Sequence, residues 1–173
     1  MDDRLRSTPM RRWRARGRIA EAAVYLGVFS VAQRAVPMKL WSWVLGHPES
    51  LPQELGTERI RALRSLKCEK VSWQTHRGVT RAAERLPWNP SCLAQAAAGQ
   101  SMLRSRGRAG VVVIGLRKVE DQQPWSAHAW LLAADGAITG GREAHGFTPT
   151  TVFVPKKIST DFHQLPVWGS REV

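Results

Sequence analysis

A chain of 173 residues, 43% of them hydrophobic, is long enough to form one globular domain with a packed core. Its formal charge of +12 favours an acidic partner, and its two cysteines, Cys68 and Cys92, exclude a disulfide framework. No Cys/His cluster has the spacing of a zinc site, so the sequence predicts neither a metal ion nor a cofactor.

The first forty residues combine a basic stretch with a short apolar one. Residues 1–18 are expected to be flexible, and apolar positions that share one face predict a helix over 19–36. The same order is typical of a signal peptide, but Glu21 interrupts the apolar run, which is shorter than the roughly 20 residues that span a bilayer. We therefore expect a cytoplasmic protein whose first helix is amphipathic or buried. Contact of that helix with a membrane surface stays open, because its arginines could face lipid headgroups.

The remainder of the first half is also predicted to be mainly helical. One or two helical turns are expected to close at Gly46, and a loop follows over 47–56. A long helical stretch is then predicted from Thr57, its N-cap, with a break at Gly78. Together these elements make residues 1–86 a predicted helical N-terminal region.

The pattern changes over residues 87–173, the predicted catalytic core. Ser91 is a typical N-cap for a helix that begins at Cys92, and Gly107 stands where a C-terminal cap belongs. Three β-rich segments follow, "VVVIGLRK", "WSAHAWLLAA" and "TTVFVP", and a DG dipeptide after the second is typical of a hairpin turn. The sequence thus predicts an α+β fold in which one helix precedes an antiparallel sheet.

Cys92 is the candidate nucleophile. At a helix start its sulfur would lie near unpaired backbone N–H groups and the positive end of the helix dipole, which stabilise the reactive thiolate. The same N–H groups could hold an oxyanion. A lone cysteine in an alanine-rich helix is more often a small buried side chain, and we interpret Cys68, between Lys67 and Glu69, in that way.

His128 is the candidate base. Alternation along its predicted strand puts the imidazole on the same face as Ser126 and Trp130 and on the face opposite Ala129. A histidine between alanines is more often a core residue, but a helix-start cysteine followed by a strand histidine is the order that nucleophilic catalysis needs. No partner is predicted for the other histidines: His47, His76, His145 and His163.

A third polar residue is needed to fix the orientation of the imidazole. If the DG dipeptide is a two-residue turn, Ala134 faces Ala137 and His128 faces Glu143, about 5 Å away. Asp135 would lie roughly 23 Å from His128 along a straight strand. Both carboxylates stay candidates, because a bulge after the hairpin would change the register.

Three motifs in this order resemble the stand-alone leader peptidases of lasso-peptide biosynthesis, the protease half of the split B protein. They are "LPWNPSCLAQAAAGQSMLRSRG", "VVVIGLRK" and "SAHAWLLAADG", and the match covers about residues 85–153. The resemblance implies a papain-like or transglutaminase-like core with Cys92 as nucleophile and His128 as base. The family's third residue is an Asp after the hairpin, where the only carboxylate here is Glu143, so the third role belongs to Glu143 or Asp135.

The resemblance also implies a function and partners. It implies a cysteine peptidase that cuts the leader from a ribosomally made precursor peptide before a separate ATP-dependent cyclase forms the macrolactam. A small winged-helix protein that recognises the leader is expected as a separate partner, because residues 1–86 lack a β-rich start. Two alternatives are a transglutaminase-like acyl transferase and a non-catalytic basic module that binds nucleic acid or membrane. No helix-turn-helix or aromatic stacking pattern supports nucleic acid as a partner.

Overall fold

A computed structural model of the chain describes residues 9–50, 70–108, 110–118, 125–133 and 136–155. Within these ranges the strands form one antiparallel sheet in the order β1-β5-β2-β3-β4, with helices packed against it. The predicted α+β class and the antiparallel sheet are therefore confirmed. The elements are α1 (Pro9–Ala35), α2 (Met38–Trp41), a 3₁₀ turn (Ser42–Val44), β1 (His47–Ser50), α3 (Lys70–Ala83), α4 (Cys92–Arg104), β2 (Gly110–Lys118), β3 (Trp125–Ala133), β4 (Gly136–Thr139) and β5 (Thr148–Val154).

The first helix is longer than its apolar pattern predicts. It begins at Pro9 and not at residue 19, because arginine is a good helix former and the basic turns extend the same helix. Arg18 within this extension donates a hydrogen bond of 2.7 Å to the Gln74 side chain of α3. The predicted break at Gly78 is also wrong, since this buried glycine lies inside α3. A Cβ atom there would be 3.4 Å from the Arg18 carbonyl oxygen, so glycine lets α1 and α3 approach closely.

The predicted loop over 47–56 begins with a strand. β1 pairs with β5 from His47 opposite Val154 onward, at the edge of the sheet. Its sequence, "HPES", shows no apolar alternation, and Pro48 is tolerated because this is an edge strand. Thr57 and Cys68 lie outside the described residues. The division of the chain at residue 86 stays a prediction.

The two faces of the sheet are covered differently. On what we call the helix face, α1, α3 and α4 bury an apolar cluster that includes Leu26, Val79, Ala97 and Leu131. The alanine-rich sequence of α4 brings it close to the sheet, where buried apolar side chains drive the packing. The opposite face carries a second cluster, whose members are Val111, Val113, Trp130, Leu132, Ala144, Val152 and Val154. No helix in the described part of the chain is long and apolar enough to cross a membrane.

An ion pair ties the end of α4 to α1. The Arg106 guanidinium donates to both carboxylate oxygens of Glu21, at 2.6 and 3.0 Å. These hydrogen bonds lower the pKa of Glu21 from its ordinary value and raise the pKa of Arg106. Glu21, which interrupts the apolar run of α1, is therefore a structural link between two helices.

Replacing Glu21 by glutamine is expected to lower the free energy of unfolding by about 1 kcal/mol at pH 7, the scale of a partly exposed bidentate pair. Because folding lowers the pKa of Glu21, the contribution is full above the ordinary value of 4.5 and is lost as the pH falls through the lower folded value. Urea denaturation at pH 7 and at pH 3 measures both effects. Glu84→Gln is the control. An equal loss of unfolding free energy in both variants would mean that the ion pair of Glu21 with Arg106 does not stabilise the fold.

Candidate active site

Cys92 is the first residue of α4, as the sequence predicts. The Ser91 side chain caps the helix by accepting a hydrogen bond of 3.1 Å from the Ala94 N–H, and the Ser91 carbonyl accepts one from Gln95. The N–H groups of Cys92 and Leu93 have no partner within the helix, because the first N–H groups of any α-helix lack one. The half-buried free thiol of Cys92 thus lies at the electropositive end of α4, where a negative charge on sulfur is stabilised.

The segment before Cys92 is held in place by the last third of α1. The Ser91 hydroxyl donates to the Gln33 side-chain oxygen at 2.6 Å, and the Trp88 indole N–H donates to the Ser30 hydroxyl at 3.3 Å. Ser91 therefore caps α4 and joins it to α1 through the same oxygen atom. The position of the nucleophile depends on a helix that lies more than fifty residues earlier in the chain.

Replacing Ser91 by alanine is expected to lower the free energy of unfolding by about 1 kcal/mol, the usual loss for an N-cap serine. Ser101→Ala is the matched control, because the Ser101 hydroxyl bonds only the Ala97 carbonyl one turn earlier in the same helix. Urea denaturation of both variants checks the difference. Equal free energies of unfolding in the two variants would mean that the Ser91 cap and its hydrogen bond to Gln33 do not stabilise the protein.

At the edge of the sheet, the Cys92 sulfur lies where the carbonyl oxygen of a neighbouring strand would lie. It accepts a hydrogen bond of 3.4 Å from the Ala129 N–H of β3. That edge of β3 is open because β4 is short: Ala133 pairs with Gly136 and Leu131 with Thr139, and the pairing ends there. The thiol thus takes the place that a longer β4 would fill, and the N–H from β3 adds a second source of positive potential at the sulfur.

The His128 imidazole lies on the opposite face of the sheet, stacked on Trp130 with ring centroids 5.9 Å apart. The predicted sharing of a face with Trp130 is confirmed. Phe147 contacts the same ring at a tilt, with centroids 5.2 Å apart. Nε2 of His128 is 3.0 Å from the Gly140 carbonyl oxygen. Since a carbonyl oxygen only accepts hydrogen bonds, this contact is a hydrogen bond when Nε2 carries the proton, which leaves Nδ1 as the basic nitrogen of a neutral ring.

Cys92 and His128 border the same cavity at the open edge of β3. The thiol arrives from α4 on the helix face and the imidazole lies on the opposite face, and both border one cavity of about 930 Å³. Among the described residues no hydrogen bond joins the sulfur to the ring. The two groups thus line the same space, and catalytic hydrogen bonds are often long or not yet formed before a substrate binds.

Of the two predicted carboxylates only Glu143 lies within the described residues, and no hydrogen bond joins it to the imidazole there. The predicted register is wrong, because Ala137 pairs with Leu132 and a shift follows between Leu131 and Leu132. Glu143 is exposed in the turn after β4 and borders the cavity, but within the described residues it forms no hydrogen bond to His128. Asp135 lies outside the described residues.

A second histidine borders the cavity, and the sequence did not point to it. Nδ1 of His76, on α3, is 2.7 Å from the Ile138 carbonyl oxygen, and its ring stacks on Trp73 with centroids 5.4 Å apart. Thr80, one helical turn later, borders the same cavity. The only signal in the sequence was this pair of polar residues, His76 and Thr80, beside the buried positions of an amphipathic helix. The remaining lining residues are Gln95, Ala129, Ala137, Ile138, Thr139, Gly140, Gly141, Arg142 and His145.

Comparisons with known proteins agree with this architecture at the level of a family. No curated protein and no solved structure matches the chain. A family model described as the transglutaminase-like superfamily matches residues 32–152, more than half of the chain. The matched range runs from the end of α1 into β5 and contains Cys92, His128 and the cavity between them. The chain therefore belongs to the transglutaminase-like superfamily.

Proposed function

We propose that this protein is a cysteine peptidase that removes the leader peptide from a lasso-peptide precursor. The observation that carries the proposal is that a helix-start thiol and a strand imidazole border one cavity within a transglutaminase-like domain. Such a domain is consistent with cysteine peptidase or acyltransferase activity. The narrower assignment is supported by the motifs around Cys92, Gly115 and His128, which resemble those of lasso-peptide leader peptidases.

The proposed mechanism uses the thiol and the imidazole that border the cavity. His128 takes the thiol proton at Nδ1, and the Cys92 thiolate attacks the carbonyl carbon at the junction of leader and core. The N–H groups at the start of α4 hold the oxyanion. The imidazolium protonates the leaving amine of the core peptide, which gives a leader thioester. His128 then activates water, which hydrolyses the thioester and restores the thiol.

Product analysis separates this proposal from its nearest alternative, acyl transfer to an amine, which the same superfamily allows. A synthetic precursor is incubated with the protein in H₂¹⁸O, with and without a leader-recognition partner and an added primary amine. The proposal expects a free leader that carries one ¹⁸O atom in its new C-terminal carboxylate. A leader amide of the added amine, or ammonia released from a glutamine side chain, would instead establish the transferase.

The proposed partners are the precursor peptide, a separate small winged-helix protein that presents the leader, and a macrolactam cyclase that takes the released core. We place the reaction in the cytoplasm, with contact to a membrane surface left open. The formal charge of +12 favours an acidic leader or an acidic partner surface. Such steering weakens as salt is added, so the rate of cleavage at low precursor concentration should fall with ionic strength.

A further inference from the structure

Within the described residues, the hydrogen-bond partner of the His128 ring is a main-chain carbonyl and not a carboxylate. The Nε2 atom is 3.0 Å from the Gly140 carbonyl oxygen, while Glu143 forms no hydrogen bond to this ring among the described residues. We propose that the Gly140 carbonyl is the third member of the catalytic arrangement: it orients the His128 imidazole and fixes the proton on Nε2. This inference rests on the proposed function for its role in catalysis, but the geometry it describes does not.

The Gly140 carbonyl is itself held by the turn that follows β4. Its oxygen also accepts a hydrogen bond of 3.1 Å from the N–H of Ala144, which is 1% exposed. A carbonyl oxygen has two lone pairs, so it can accept both hydrogen bonds at once. Each bond polarises the Gly140 carbonyl and so strengthens the other. The turn thus fixes the acceptor before a substrate binds. Trp130 and Phe147 hold the plane of the imidazole by ring contacts.

Only glycine fits at this position. Gly140 has φ +65°, in the left-handed region, and a Cβ atom there would lie 2.9 Å from His128 Nε2 and 2.9 Å from the Ala129 carbonyl oxygen. Both contacts are shorter than real Cβ atoms make, so any side chain would move the ring or the turn. A substitution here therefore tests the position of the imidazole.

A neutral acceptor does part of what a carboxylate does. It selects the tautomer and the ring orientation, which a triad needs so that the correct nitrogen faces the nucleophile. It adds no negative charge to stabilise an imidazolium. His76 gives an internal comparison, because the Ile138 carbonyl oxygen contacts its Nδ1 at 2.7 Å and so fixes the opposite tautomer.

The first test reads the tautomers directly by ¹⁵N NMR of the imidazole nitrogens. The sample is the full chain with Cys92→Ala and ¹⁵N-labelled histidine, at a pH where the rings are neutral. We expect Nε2 of His128 and Nδ1 of His76 to carry the proton, with signals assigned through His128→Gln and His76→Gln. A His128 ring protonated on Nδ1 would overturn the inference, even if Cys92→Ala had abolished cleavage.

The second test compares two glycine substitutions of equal backbone strain. Gly107 has φ +66° and no atom within 4 Å of an added Cβ, so Gly107→Ala reports left-handed strain without contact to His128. We expect Gly140→Ala to lower kcat by about 10²-fold, the scale of a misplaced catalytic group, with little change in KM. Gly107→Ala should leave kcat unchanged. Equal kcat values for both folded variants would contradict the inference.

Carboxylate variants complete the comparison if Gly140→Ala fails to fold. With the carbonyl as the orienting group, Glu143→Gln and Asp135→Asn should each lower kcat by less than about tenfold, whereas loss of a triad carboxylate lowers it by about 10⁴-fold. A loss of the larger size in either variant would return the third role to that residue. Absence of cleavage by the wild-type protein would count against the proposed function and leave the NMR result unaffected.

Discussion

Cys92→Ala is expected to reduce leader cleavage by at least about 10⁴-fold, because removal of a covalent nucleophile leaves only binding and oxyanion stabilisation. The sulfur lies at the start of α4 and accepts the Ala129 N–H, and no other described thiol borders the cavity. Single-turnover cleavage of a precursor peptide, followed by mass spectrometry, measures the loss. Circular dichroism of the variant should match the wild type, since the change removes one atom from a half-buried position.

Cys68→Ala is the control for this prediction. Cys68 is interpreted from the sequence as a structural residue, so its replacement should leave the rate of cleavage unchanged. Iodoacetamide gives a second measurement. Alkylation of the wild-type protein should abolish cleavage of the precursor when one residue is modified, and peptide mapping should identify that residue as Cys92. Full activity in Cys92→Ala would rule out Cys92 as the nucleophile. The non-catalytic basic module would instead show no cleavage by the wild-type protein, together with binding to nucleic acid or membrane that Cys92→Ala leaves unchanged.

The nucleophile helix and three of the strands were predictable because their signals are local. Ser91 precedes α4 and caps it, and Gly107 ends it in the left-handed conformation, with the Arg108 N–H bonded to the Leu103 carbonyl. The strands β2, β3 and β5 are rich in β-branched or aromatic residues, which is sufficient evidence for a strand wherever the sheet places it. Each of these predictions depends only on residues close together in the chain.

The contacts of the site were not predictable because they depend on pairing between distant residues. A single register shift after Leu131 ends β4 early, opens the edge of β3 for the Cys92 sulfur and carries Gly140 to the imidazole. A two-residue turn at Asp135-Gly136 gives Glu143 instead because it puts Ala137 opposite Ala134, whereas Ala137 pairs with Leu132. The position of His76 likewise depends on how α3 packs beside β4, which its own sequence does not contain.

The open edge also explains how a thiol and an imidazole on different faces can act together. Alternation along β3 sends Leu131 toward the helix face, and His128 with Trp130 toward the opposite face, so a helix packed on one face cannot reach the ring through the strand. At an edge this restriction does not apply, because a side chain at the start of α4 can reach around the strand. The site therefore depends on a short β4, which leaves the Ala129 N–H of β3 to the Cys92 sulfur.

His128→Ala should lower kcat by about 10³-fold or more, because neither the thiol proton nor the leaving amine then has a positioned partner. Removing the ring also leaves a space between Trp130, Phe147 and the Gly140 carbonyl, in a cavity of about 930 Å³ that is open to small molecules. Added imidazole should therefore restore part of the rate in His128→Ala, with saturation as the space fills. Rates of precursor cleavage measured against imidazole concentration test this.

The rescue separates a chemical role of His128 from a structural one. His47→Ala, on the exposed edge strand β1, should keep the wild-type rate and show no response to imidazole. Cys92→Ala should also show no response, because a free base cannot replace the nucleophile. If His128→Ala were folded and inactive but insensitive to imidazole at every concentration, the ring would act by holding Trp130 and Phe147 in place. The base would then have to be sought elsewhere in the cavity, with His76 the first residue to test, because a bond from its Nδ1 to the Ile138 carbonyl leaves Nε2 available to accept a proton.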